Sequence, residues 1–300
     1  MNPGKIHLPR MAIRGMPPWG GAIAAAAIAF ALAWLPSCAT PGVLANRPNG
    51  PRDVKVTRAV SGLDPDRYSG LAASLDGGLF LAEQSGWRAQ AFRPGEGRPF
   101  EIALPSARCL VAGGFIQGFC AVDLVNREFI RFDQHGSEAY RAGLGGHGAA
   151  AFCLAASGET FFLDADAVAV VVRDQGFRES RRWQLRGAGR PQAIAADLLE
   201  GLVAVAYPGE GRLDTYSTLG VLMDSSPFSA APGPQSLAFD GRGRLWAAGP
   251  GERAAVFRFS GRRWAESGSV EIAGLRALAA GPGGTVLALG REQVLNLSVE

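Results

Sequence analysis

The chain predicts an all-β fold: a six-bladed β-propeller over residues 53–300 whose N-terminal strand closes the last blade, preceded by a helical signal segment (1–37) and a flexible tether (38–52). Three observations predict it. A two-strand pattern recurs six times at a period near 41 residues; no window beyond the leader has a convincing amphipathic 3.6-residue period; and a lone strand-like segment precedes the first full unit while the last unit runs short. Hairpin content at such a period is the mark of four short strands per propeller blade.

The leader comes first. Lys5, Arg10 and Arg14 precede an uncharged run, 20–35, rich in Ala, Ile, Leu and Phe, which is the layout of an export signal. The run has 16 residues, whereas a bilayer-spanning helix needs roughly 20. Pro36-Ser37 then halts the helix and leaves small residues for cleavage. Leu35-Pro36-Ser37-Cys38 resembles the lipobox of bacterial lipoproteins. That resemblance implies cleavage before Cys38, diacylation of its thiol and acylation of the new N-terminus. It also implies a stable membrane anchor, since two or more acyl chains contribute ~0.8 kcal/mol per buried CH₂. Ala39 stands where an aspartate would imply inner-membrane retention, so the resemblance points to the outer membrane, facing the periplasm or the cell surface. "ATPGVLANRPNGPR" (39–52) has several breakers and no periodicity, and reads as a tether.

The repeats follow. They are "GLAASLDGGLFLAE" (70–83), "CLVAGGFIQGFCAVD" (109–123), "CLAASGETFFLDAD" (153–166), "AIAADLLEGLVAVAY" (193–207), "SLAFDGRGRLWAAG" (236–249) and "ALAAGPGGTVLALG" (277–290). Their second residues, Leu71, Leu110, Leu154, Ile194, Leu237 and Leu278, lie 39, 44, 40, 43 and 41 apart. The second halves of the units, as in "AAVFRFSGRRWAESG" (254–268), read as strand, Gly turn, strand. In Val256-Phe257-Arg258-Phe259 the aromatics alternate with arginine, as a half-buried outer strand requires. "DVKVTRAV" (53–60) is then the strand that completes the sixth blade, because an open ring would leave two exposed sheet edges. Residues 122–136, "VDLVNREFIRFDQHG", and 236–248, "SLAFDGRGRLWAA", resemble the NHL repeat, which implies a propeller of that type.

Composition narrows the function. The formal charge of +3 equals the three leader cations, so the remaining chain carries 27 basic and 27 acidic residues. Nucleic-acid binding needs a basic surplus, and no such partner is expected. Of the three cysteines after Cys38, Cys109 and Cys120 flank "GGFIQG" and are candidates for a disulfide across adjacent strands in an oxidising compartment; Cys153 is left odd. Trp87, Trp183, Trp246 and Trp264 fall in strand-like segments and read as inter-blade packing.

Chemistry in a propeller sits where the second strands end and the first strands begin. Second strands are expected to deliver Glu83, Asp123, Asp164, Asp166, Tyr207 and Arg291 to that face, and first strands Arg108, His147, Gln192, Gln235 and Arg276. Acids converging on the axis would bind a hard cation such as Ca²⁺ through oxygen. Propeller lactonases of the gluconolactonase type hold their metal with axial carboxylates and an Asn, but Asn46, Asn49, Asn126 and Asn296 begin no first strand here. Streptogramin-lyase-like chemistry wants an axial histidine base, for which His147 is the candidate. The leading expectation is a non-enzymatic, lipid-anchored envelope protein without a cofactor, docking another envelope protein. The alternative is a metal-dependent hydrolase or lyase built on Glu83, Asp123, Asp164 and Asp166.

Overall fold

A computed structural model describes residues 53–299 apart from positions 65, 95, 97, 115, 188, 198, 229–232 and 250–251. The leader, Cys38 and the tether lie outside the described residues. The described chain forms six antiparallel four-stranded sheets. Blade 1 is β2 (Tyr68–Ala73), β3 (Leu79–Glu83), β4 (Arg88–Phe92) and β5 (Phe100–Ala103), after β1 (Val54–Ser61). Blade 2 is β6 (Cys109–Ala112), β7 (Phe119–Asp123), β8 (Glu128–Phe132) and β9 (Glu138–Gly143). Blade 3 is β10 (Ala151–Leu154), β11 (Thr160–Asp164), β12 (Ala169–Arg173) and β13 (Glu179–Gln184). Blade 4 is β14 (Ala193–Asp197), β15 (Leu202–Tyr207), β16 (Arg212–Ser217) and β17 (Leu222–Pro227). Blade 5 is β18 (Ser236–Phe239), β19 (Arg244–Ala248), β20 (Arg253–Ser260) and β21 (Arg263–Glu271). Blade 6 is β22 (Ala277–Ala280), β23 (Val286–Leu289) and β24 (Gln293–Val299), completed by β1.

The strand patterns follow from radial position. Second strands such as β7, β11 and β19 are buried along their whole length, so they read as continuous apolar runs. Alternation moves outward, to strands such as β17, and in β20 Val256 and Phe257 are buried while Arg258 is exposed. First strands run round the axis in the order β2, β6, β10, β14, β18, β22 and back to β2.

Between each pair of neighbouring blades lies one apolar core. Phe80, Phe119 and Phe132 stack between blades 1 and 2, and Phe129, Phe152, Phe162 and Phe177 fill the gap between blades 2 and 3. Leu71, Leu81, Leu287 and Val294 join blade 6 to blade 1. Ring closure has further ties. β1 pairs with β24 from Val54↔Val299 to Ser61↔Gln293, with a bulge between Arg58 and Val60. Arg276 donates to the Tyr68 carbonyl at 3.1 Å and pairs with Asp66, while Arg244 of blade 5 donates to the Val299 carbonyl at 3.0 Å.

Two sequence expectations are corrected here. Cys109 and Cys120 are free thiols. The β6–β7 register pairs Cys109 with Asp123 and Ala112 with Cys120, so the cysteines are offset by three positions. An odd offset puts side chains on opposite faces of a sheet. Cys109 accordingly packs toward blade 1 and Cys120 toward blade 3. Trp87 is not packed between blades: it stands 58% exposed in the turn before β4. Trp246 is fully buried, and Trp183 and Trp264 pack against inter-blade cores.

Candidate functional site

The upper face is taken here as the one carrying the second-strand ends and the connections between blades. At its centre opens an axial channel of about 430 Å³, walled by the six first strands. Small residues wall it because six strands converge on the axis. Ser69, Gln192, Gln235, Ser236 and Arg276 contribute the polar lining, together with the Cys109 and Cys153 thiols. Burial pushes the Cys153 thiol up to about 12, which disfavours the thiolate.

Glu83, Asp123 and Asp164 reach the upper ends of their strands, but each is bound by protein partners. Glu83 accepts two hydrogen bonds from Arg67, at 2.9 and 2.6 Å, and one from Ser85. Asp123 is fully buried and accepts from the Ser106 hydroxyl at 2.6 Å, the Val125 and Asn126 backbone N–H groups at 2.8 and 3.1 Å, and the Asn126 amide at 2.6 Å. Asp164 accepts from the N–H groups of Asp166 and Ala167 at 3.2 and 3.0 Å. Asp123 and Asp164 thus close the turn that follows their own strand, as Asx residues commonly do, whereas Glu83 is held by Arg67 from before β2. Asp166 is exposed and faces a separate, off-axis cavity.

Burial would raise the Asp123 carboxyl, yet the bonds from Ser106, Asn126 and Val125 outweigh it and hold the group below its usual range. A carboxyl depressed in the folded state stabilises above its unfolded value near 4, and that contribution is lost as pH falls through the folded value. Asp123→Asn is therefore expected to lower stability by about 1–3 kcal/mol at pH 7. The gap to wild type should close as urea denaturation is repeated toward pH 2. A gap independent of pH would show that the charge is not what holds the turn.

Among the described residues no three His, Cys, Asp or Glu side chains converge where a metal could sit. The channel lining offers the Gln192 and Gln235 amides, serine hydroxyls and the Arg276 guanidinium, with no carboxylate among its residues. Nor does His147 reach the axis. It lies on the off-axis cavity, its Nδ1 3.6 Å from Asp164 and its Nε2 3.6 Å from Glu179, with Arg182 against the ring. Tyr207, expected on the face, is buried in the core between blades 3 and 4 under the Arg212 guanidinium. Blade 4 instead uses the fully buried Asp214, which accepts from Arg212 and Ser225 at 2.6 Å.

The lower face carries a feature the repeat pattern did not single out. In blade 4, Leu199 of the β14–β15 turn is 78% exposed, and Leu219 and Val221 of the β16–β17 turn are 74% and 63% exposed. The two turns touch, because the Thr218 N–H donates to the Gly201 carbonyl at 2.9 Å. Turn positions are ordinarily polar or Gly, so bare apolar side chains on adjoining turns form one surface. A sequence signal existed: "LLEG" and "TLGVL" place leucines inside Gly turns.

No protein-family model and no curated protein matches this sequence. Solved structures do match its fold. A gluconolactonase from Xanthomonas campestris superposes with a TM-score of 0.62 at 17% identity, over 84% of this chain and 97% of that one. A streptogramin B lyase gives 0.56 at 12%, over 82% and 98%. A chain of the mitotic checkpoint complex gives 0.57 at 11%, over 89% and 96%. The chain is thus a six-bladed β-propeller with an open axial channel, a fold shared by enzymes and by a component of a protein assembly, so the activity must be argued from its own residues.

Proposed function

We propose that this protein is an envelope lipoprotein, anchored through Cys38 to the outer membrane, whose NHL-like propeller docks another envelope protein. The observation that carries the docking role is the apolar surface of Leu199, Leu219 and Val221 on two adjoining turns. Solvated turns gain nothing from three bare aliphatic side chains, whereas a protein contact removes them from water. Of the upper-face carboxylates that a metal-dependent hydrolase would need, Asp123 and Asp164 are held by their own turns, Glu83 by Arg67, and Asp166 faces the off-axis cavity. The lipobox-like Leu35–Cys38 supports the address, and the tether gives the propeller reach from the membrane.

The anchor is tested by Cys38→Ser with a fatty-acid probe. Wild type should take the label and sediment with membranes, and the variant should do neither. A soluble, unlabelled wild type would overturn the anchor. Docking is tested by p-benzoylphenylalanine at Leu219, cross-linked in intact cells. A discrete adduct is expected, lost when Leu199→Asp is added and absent when the probe replaces Arg242 on the neighbouring blade. Equal labelling at both positions would sink the docking surface.

A further inference from the structure

On the upper face, opposite the docking surface, a cavity of about 210 Å³ opens off the axis between blades 2 and 3. Three arginines line it from three different connections: Arg108 before β6, Arg127 in the β7–β8 turn and Arg190 before β14. Arg108, Arg127 and Arg190 are exposed, and none of their side chains makes a hydrogen bond or ion pair with any described residue. Arg258 and Arg263 are likewise exposed and unpaired, so what distinguishes these three is that they line one cavity. Against three guanidinium groups the cavity wall carries one carboxylate, Asp166, and the His147 ring.

Arg127 also occupies an unfavourable backbone position. Its φ is +55°, in the left-handed region, where a side chain costs roughly 1 kcal/mol relative to glycine. The same last turn position is Gly211 in blade 4, at φ +58°, and Val168 in blade 3, at φ +48°. The turn geometry recurs with other side chains, and what marks Arg127 is its place beside Arg108 and Arg190 on one cavity.

We propose that this cavity binds a small, multiply charged anion bearing a phosphoryl or carboxylate group. Guanidinium forks match both groups in two-point hydrogen bonds, and their weak hydration lowers the cost of taking up the ligand. Arg108, Arg127 and Arg190 bind the acidic group, while Asp166 accepts a hydrogen bond from a hydroxyl elsewhere on the ligand and rejects anions that would crowd it. The cavity volume admits a small organic acid or phosphate ester and leaves no room for a polymer. The site stands whether or not the lower face docks a protein.

The test uses the full-length protein in detergent, titrated with inorganic phosphate and, separately, with succinate, against sodium chloride at matched ionic strength. At least one of the two acids should raise Tm saturably, by on the order of 2–5 °C. Which one does so identifies the group recognised. Arg127→Gln with Arg190→Gln should weaken binding at least tenfold and leave the ligand-free Tm in place, because neither side chain has a partner to lose. Arg127→Lys should weaken it less, and Arg262→Gln on the lower face should have no effect. If neither acid shifts Tm beyond sodium chloride, or if the double variant binds as wild type does, the site is wrong.

Discussion

Arg244→Met is expected to lower the unfolding free energy by about 3–5 kcal/mol, the cost of leaving one charge of a buried pair unpartnered. Arg244 and Asp240 are 5% and 1% exposed, and they pair across the β18–β19 turn. The same guanidinium donates to the Val299 carbonyl at 3.0 Å, so it also latches blade 5 to the last strand of the closed ring. Methionine fills the space but supplies neither charge nor donor, which strands the Asp240 carboxylate in the interior. Against a total stability of about 5–15 kcal/mol, the loss should be plain in a urea midpoint. Arg244→Met with Asp240→Asn should recover much of it, because the amide keeps the turn bond from the Arg242 N–H and needs no counter-charge. A single variant within about 1 kcal/mol of wild type would mean that water reaches the pair.

Gly86→Ala should cost about 3 kcal/mol or more, combining a left-handed side-chain penalty with overpacking. Gly86 has φ +81°, and a Cβ there would fall 1.8 Å from the Ala107 carbonyl oxygen and 2.1 Å from its carbon. Ala107 belongs to the connection into blade 2, so relief requires the two blades to part. Gly201 is the matched control: φ is +67°, with nothing within 4 Å of the added carbon. Gly201→Ala should pay the conformational term alone, about 1 kcal/mol. Thermal denaturation of the pair separates the effects, and equal losses would show that the blade 1–blade 2 contact is soft.

What could be read in advance divides along physical lines. Blade number and ring closure were legible because both follow from short-range pattern and chain length. Leu71, Leu110, Leu154, Ile194, Leu237 and Leu278 do lie on first strands of successive blades, and residues 53–60 do pair with β24. Side-chain partnerships were less so. The disulfide expectation for Cys109 and Cys120 assumed a turn centred between them. The β6–β7 loop instead centres one and a half residues later, and that is enough to reverse the face of one cysteine. Tyr207 was expected at the surface because its strand position is that of Glu83 and Asp123. Burial against Tyr216 and Arg212 decided otherwise.

The sequence by itself determined the repeat, the six sheets and the strand that closes them, since apolar periodicity and the need to cover sheet edges leave few other solutions. Only the tertiary structure decided that Asp123 and Asp164 serve their own turns while Glu83 pairs with Arg67, that His147 stands off the axis, and that Arg108, Arg127 and Arg190 share one cavity. The physical reason is range. A turn bond forms between residues two or three apart, but it wins over an axial ligand only when the packed blade shows that nothing else approaches. The arginines come from connections up to 82 residues apart and meet only because stacked blades bring those connections to one face.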